Sequence, residues 1–155
     1  MKGDNVMPGH LIRRFQQAAV AIFHNEVGAM GFDLTPVQYA AMVKIEALPG
    51  IDQVTLAGQI AYDRTTITGV IDRLVEKGLL VREVSGTDRR ARVLNLTDEG
   101  LKVLREVTPA VEAAQEIMLQ GLNKSEAAEF MRLLKKATAA VNELSRAPLK
   151  EAAQA

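Results

Sequence analysis

Between Asp63 and Gly100 the chain changes its apolar period twice, and this stretch limits the possible folds more than any other. After Asp63, Ile67, Val70, Ile71 and Leu74 fall on one face at helical spacing. Thr65, Thr66, Gly69, Asp72, Arg73 and Glu76 fall on the opposite face. Gly78 closes this helix after Lys77. Leu79–Val84 and Val93–Leu96 then read as short strands around the turn-rich Ser85-Gly86-Thr87-Asp88. Thr97-Asp98-Glu99 opens another helix, with a capping hydroxyl and acids at its positive end. Helix, tight ribbon and helix follow one another with no room for a crossover.

The flanking segments are helical. His10 to Met30 carries Leu11, Ile12, Phe15, Ala18, Ala19, Ile22 and Phe23 at helical period, after a loose arm that Pro8-Gly9 ends. Thr35-Pro36-Val37-Gln38 is a helix start: threonine caps, proline suits the first turn, and glutamine reaches back. That helix stops at Pro49-Gly50. A third begins near Asp52, with Val54, Leu56, Ala57, Ile60 and Ala61 as its apolar side and Tyr62-Asp63-Arg64 as the following turn. The helix after Thr97 carries Leu101, Leu104, Val107, Val111, Ala114 and Met118, and Pro109 should bend it. Asn123 and Glu126 frame a last helix, with Phe130, Leu133, Leu134, Ala137, Val141 and Leu144 on one side. The Ala-rich tail after Pro148 should fray.

The expected fold is mainly α with a small β-hairpin wing, a winged helix-turn-helix with N- and C-terminal dimerisation helices. Residues 1–155 read as one domain, with the winged part at 52–97 and helical scaffold at 10–48 and 98–146. The outer helices carry longer apolar stripes than the small central module can cover. Pairing with a second copy would bury them, although a monomer could instead fold them onto each other.

Composition excludes more than it indicates. With no Cys there is no disulfide, thiolate metal site or cysteine nucleophile, and with two His a multi-His metal site is disfavoured. No phosphate loop, nucleophile elbow or paired-carboxylate site is present, so no catalytic residue and no cofactor is expected. No apolar run approaches the ~20 residues of a membrane span, and the first residues lack a signal-peptide core, so a cytoplasmic location without membrane contact is expected.

Net charge is zero, and residues 51–100 carry seven Lys/Arg against eight Asp/Glu. An argument for nucleic acid therefore rests on placement. A helix fits the major groove of duplex DNA, and a narrow basic loop reaches an adjacent minor groove. The polar helix face offers Thr65, Thr66, Thr68 and Arg73, and the ribbon tip offers Asp88, Arg89, Arg90 and Arg92. Gly69 lies midway along the same face. It either permits close approach by another molecule or is simply tolerated there. A non-specific architectural DNA binder would be strongly basic, which this chain is not.

The run DRTTITGVIDRLVEKGLLVRE followed by DRRARVLNLTDEG resembles the MarR family of bacterial transcriptional regulators. The resemblance extends to LTPVQYAAM at Leu34–Met42 and to the helical ends, and so covers almost the whole chain. Asp88-Arg89-Arg90 with Leu94-x-Leu96-Thr97-x-x-Gly100 behind it is its most specific part. The resemblance implies a homodimer on a palindromic operator in double-stranded DNA, usually a repressor released by a small ligand. By motif match, Thr65, Thr66, Thr68 and Arg73 face the major groove, Arg90 enters the minor groove and Asp88 orients the wing. Arg64 and Arg89 suit phosphates.

A candidate effector site lies on the first two helices. His10 and Arg14 stand four residues apart, and Tyr39 and Met42 could supply a hydroxyl and a stacking wall. The alternative is that His10 and Arg14 are ordinary surface residues. PGHLIRRFQQ with FDLTPVQYAA resembles the subgroup tied to nicotinate and hydroxynicotinate breakdown, which implies a small aromatic carboxylate with Arg14 as its anion partner. A family member that has lost its ligand response remains a further reading.

Overall fold

The computed structural model describes residues 7–151. Its elements are α1 (Pro8–Ala29), α2 (Pro36–Ala47), β1 (Ile51–Asp52), α3 (Gln53–Gln59), α4 (Arg64–Glu76), β2 (Leu80–Val84), β3 (Arg92–Leu96), α5 (Asp98–Met118) and α6 (Lys124–Ala140). A 3-10 turn, Asn142–Leu144, follows α6. The three strands form one antiparallel sheet in the order β1-β3-β2. Leu80 pairs with Leu96 and Val84 with Arg92, while Ile51 pairs with Leu94.

Local chemistry sets the helix starts. Thr35 and Gln38 form the reciprocal capping box that the sequence suggested, and Asn123 and Glu126 form a second. Asp52, Asp63 and Thr97 cap α3, α4 and α5 through the backbone N–H three residues on. The core gathers around Met42, Ile45, Leu56, Ile67, Ile71, Leu74, Leu80 and Leu94, all fully buried. It continues between α1 and α5, where Phe23 and Val27 join the same cluster as Val107 and Val111.

Several expectations fail. Pro8 and Gly9 do not end an arm but form the first turn of α1, because proline's missing N–H has no partner to lose there; the rest of the expected arm and the last residues of the tail lie outside the described residues. Residues 51–52 form a third strand, which is too short to leave a period in the sequence. Ala61 belongs to the turn after α3, with a φ of 56°, whereas Ile60 caps the helix and packs against the core as expected. Val54 is 54% exposed, on the outer side of α3. Pro109, where a bend was expected, lies inside α5, which runs as one helix from Asp98 to Met118; this continuity does not bear on the bend. Proline removes one backbone bond, and the buried Val107, Ala110 and Val111 beside it keep the helix seated.

The start of α5 is pressed against the turn between α4 and β2. Thr97 N–H donates to Leu79 O at 3.1 Å, and Thr97 Oγ1 donates to Gly78 O at 2.7 Å. A Cβ on Gly100 would fall far inside contact distance of the Leu79 carbonyl oxygen. Gly100→Ala should therefore lower stability by about 1–3 kcal/mol through overpacking, read as a shifted denaturation midpoint. Gly69→Ala, where an added Cβ meets open space, should instead raise it by about 1 kcal/mol.

Candidate nucleic-acid interface

The start of α4, through Arg64 and Thr68, and the tip of the β2–β3 hairpin, through Asp88, Arg90 and Arg92, border one open cleft of about 650 Å³, with Gln53 of α3 between them. Ile67, Val70, Ile71 and Leu74 anchor the helix in the core, so Thr65, Thr66, Thr68, Gly69 and Arg73 are turned outward and exposed. Arg64 is the first helical residue, also exposed. Arg73 makes only a loose ion pair with Glu76 at 3.7 Å, with both side chains largely exposed. Such a pair holds its partner weakly and leaves the guanidinium available.

The wing tip is built by short polar contacts. Ser85 N–H donates to Ala91 O and Ala91 N–H to Asp88 O, each at 3.0 Å. Ser85 Oγ accepts from the N–H groups of Thr87 and Asp88 at 3.2 and 3.3 Å. Asp88 Oδ1 accepts the Arg90 N–H at 2.9 Å, which turns the backbone so that the Arg90 side chain stands 94% exposed. Asp88 thus orients the wing mainly through backbone, since its ion pair to Arg90 Nε is loose at 3.6 Å. Arg89 points to solvent, while Arg92 folds back to donate to Arg89 O at 3.2 Å.

Contacts that sequence reasoning missed tie these parts together. Arg82 Nη1 on β2 meets Asp72 Oδ1 on α4 at 2.7 Å, so Asp72 belongs to the wing joint more than to the free face. Lys77 at the end of α4 donates to Asp33 O and, at 3.4 Å, to the buried Gln38 Oε1. Gln53 Nε2 donates to Thr68 Oγ1 at 3.0 Å. The partners in these pairs are separated by 10 to 44 residues, so no local spacing could have announced them.

Asp63 receives the Thr66 N–H at 2.8 Å and the Thr66 hydroxyl at 2.9 Å, and these bonds, the backbone one first, hold its carboxyl below the ordinary range. At Asp52 burial pushes the carboxyl up, but the hydroxyl and N–H of Thr55 outweigh it and the net direction is again down. A carboxyl lowered by folding stabilises the fold above its unfolded value and ceases to do so as pH falls through its folded one. The melting-temperature gap between the unaltered protein and Asp63→Ala should therefore be full at neutral pH and narrow below about pH 4.

The four residues expected at an effector site are not brought together. His10 lies 3.4 Å from Arg13, not from Arg14, through its Nδ1. Arg14 is exposed and meets no carboxylate among the described residues. Tyr39 is half-buried, with its hydroxyl 3.2 Å from Thr108 Oγ1. Thr108 Oγ1 donates its own proton to Leu104 O at 2.7 Å, so Tyr39 is the donor between them. Met42 departs from expectation: it has no exposed surface and lies in the core, on one helical stripe with Gln38, Ala41 and Ile45. It offers no wall to a ligand in this arrangement.

Comparison with known proteins gives the family and the fold. The MarR family model matches residues 34–91. The transcriptional regulator HosA of Escherichia coli is 35% identical over 127 residues, 82% of this chain and 91% of HosA. The chain belongs to the MarR family. Among MarR-family structures, PcaV of Streptomyces coelicolor, solved with its natural ligand, superposes with a TM-score of 0.83 at 34% identity, over 91% of this chain and 98% of PcaV. BpsR of Bordetella bronchiseptica, whose DNA binding is regulated by 6-hydroxynicotinic acid, gives 0.82 at 29% identity, over 89% and 97%. The BpsR match agrees with the nicotinate-type resemblance read from the N-terminal segments. This MarR-family chain is a transcriptional regulator and not an enzyme. Among its described residues no helix is long and apolar enough to cross a membrane, and no cluster of His, Asp or Glu could hold a metal ion.

Proposed function

We propose that the protein is a homodimeric repressor that binds a palindromic DNA operator and leaves it when a small aromatic carboxylate binds. The observation that carries this reading is an exposed, polar α4 face whose first turns, at Arg64 and Thr68, share an open cleft with an outstretched Arg90. In this reading α4 enters the major groove, with Thr65 and Arg73 towards base edges, and Gly69 lets the helix approach closely. Arg90 enters the neighbouring minor groove, while Arg64 and Arg89 meet phosphates. Thr66 faces the same groove, but its hydroxyl is engaged in the Asp63 cap.

The dimer rests on what a single chain leaves uncovered. On α1, Leu11, Ile12 and Phe15 are exposed, with Ile12 at 63%. On α6 no residue is buried, and Leu133 is 47% exposed. Phe15 and Phe130 meet edge to face at 5.7 Å, so the two uncovered stripes adjoin and form one patch. A second copy would cover it and set two α4 helices about one DNA turn apart.

The aromatic carboxylate rests on the relatives and on Arg14. BpsR responds to 6-hydroxynicotinic acid. Arg14 offers a paired donor to a carboxylate, His10 can bond a ring substituent, and the Tyr39 oxygen keeps lone pairs to accept from one.

Arg90→Ala should weaken operator binding at least tenfold, by gel-shift titration, while sedimentation still shows a dimer. Unchanged affinity would remove the wing from the interface. Arg73→Ala should flatten preference at one base position per half-site if it reads a base, whereas uniform loss would assign it to phosphate. Against a panel of hydroxybenzoates, nicotinates and hydroxycinnamates, one class should raise the unfolding midpoint. The gain should approach about 2.7 kcal/mol at a hundredfold excess over Kd. Arg14→Ala should abolish that shift and operator release together. A panel without any shift would leave a regulator that does not respond to such acids.

A further inference from the structure

Each threonine hydroxyl has a single proton to give. Thr68 Oγ1 lies 2.8 Å from the Arg64 carbonyl oxygen, which can only accept, so the Thr68 proton points back along its own helix. The same hydroxyl oxygen lies 3.0 Å from the Gln53 amide. With its proton already committed, Thr68 can only accept there, so the amide must turn its nitrogen to Thr68. In this arrangement Thr68 has no proton left to offer a base. Thr66 is committed in the same way to Asp63. Of the three threonines on α4, only Thr65 keeps a hydroxyl unengaged among the described residues.

Gln53 has the capacity that Thr68 lacks. A primary amide carries two N–H bonds and one oxygen. One N–H goes to Thr68, and the other, with Oε1, meets no partner among the described residues. Gln53 borders the same cleft as Arg64, Thr68 and Arg90, opposite the wing. A free N–H beside a free amide oxygen complements an adenine edge, where N6 donates and N7 accepts. Guanine presents two acceptors, O6 and N7, and leaves the amide oxygen unpaired.

We infer that Gln53 is a specificity-determining residue of the DNA interface, reading one adenine in each half-site, and that Thr68 is its positioning residue rather than a reader. The inference rests on the DNA-binding reading proposed above. It gives α3 a part in recognition in addition to supporting α4. It also explains a polar side chain bridging the two helices at the mouth of the cleft, where an apolar contact would have joined them as well.

The test offers a randomised duplex library to the full chain and to Gln53→Ala, Thr68→Val and Thr68→Ser. Single-base-pair variants of the selected operator are then titrated at fixed salt, with thermal unfolding confirming that each variant is folded. The unaltered protein should prefer adenine at one position per half-site by about 5- to 150-fold. Gln53→Ala should level that position and leave the others intact. Thr68→Val should reduce the same preference, Thr68→Ser should retain it, and Gln53→Ala with Thr68→Val should be no worse than Gln53→Ala alone. Preferences unchanged by Gln53→Ala, or weakened equally at every position, would overturn the role of Gln53. Levelling by Thr68→Val but not by Gln53→Ala would return the reading to Thr68. If the unaltered protein selected no sequence, the DNA-binding reading itself would fall, and this inference with it.

Discussion

The contact between the first turn of α5 and the backbone after α4 fixes the rest of the molecule. Leu79 O takes the Thr97 N–H, Gly78 O takes the Thr97 hydroxyl, and Gly100 lies against Leu79 O where no Cβ could stand. Three parts of the fold meet at this joint. The end of α4 enters it, the base of the hairpin leaves from it at the Leu80–Leu96 pair, and α5 starts on it. Each hydrogen bond contributes on the order of 1 kcal/mol, but all three elements share them, so one cannot tilt without the others. The direction of the scaffold helix is thereby tied to the direction of the exposed α4 face.

A second joint acts from the other side. Lys77 reaches Asp33 and the buried Gln38, so the last turn of α4 is tied to the cap of α2. Arg82 and Asp72 tie the wing to the middle of α4 at 2.7 Å. These contacts are partly exposed, and their Coulomb contribution to stability is small. What they fix is geometry: the helix face and the wing tip stay in one frame while Arg90 and Arg73 remain loosely paired and outward.

The legible parts of this structure are those whose cause is local. Asp63 caps α4 because Thr66 follows three residues later, and the capping boxes at Thr35 and Asn123 are written in four consecutive residues each. The α4 core face follows from spacing alone, and Gly100 carried a signal in its place behind the wing. The illegible parts depend on distant chain segments meeting. β1 exists only because Ile51 and Asp52 find Leu94 and Val93, and Gln53 on α3 finds Thr68 on α4. Met42 lies with Ala41 and Ile45 on a helical core stripe, a period legible in the sequence that favours a core place over a ligand wall. The exposed patch on α1 and α6 could be foreseen as excess apolar surface, but not how Phe15 and Phe130 would join it.

A hydroxyl-radical footprint of the protein on its selected operator would test whether this frame is a paired DNA-reading unit. Two copies should leave a two-fold symmetric pattern, with half-sites about one helical turn apart and minor-groove protection flanking each from the wings. A single unpaired half-site, or protection spread evenly without symmetry, would contradict both the dimer and the placement of α4 and Arg90 on DNA.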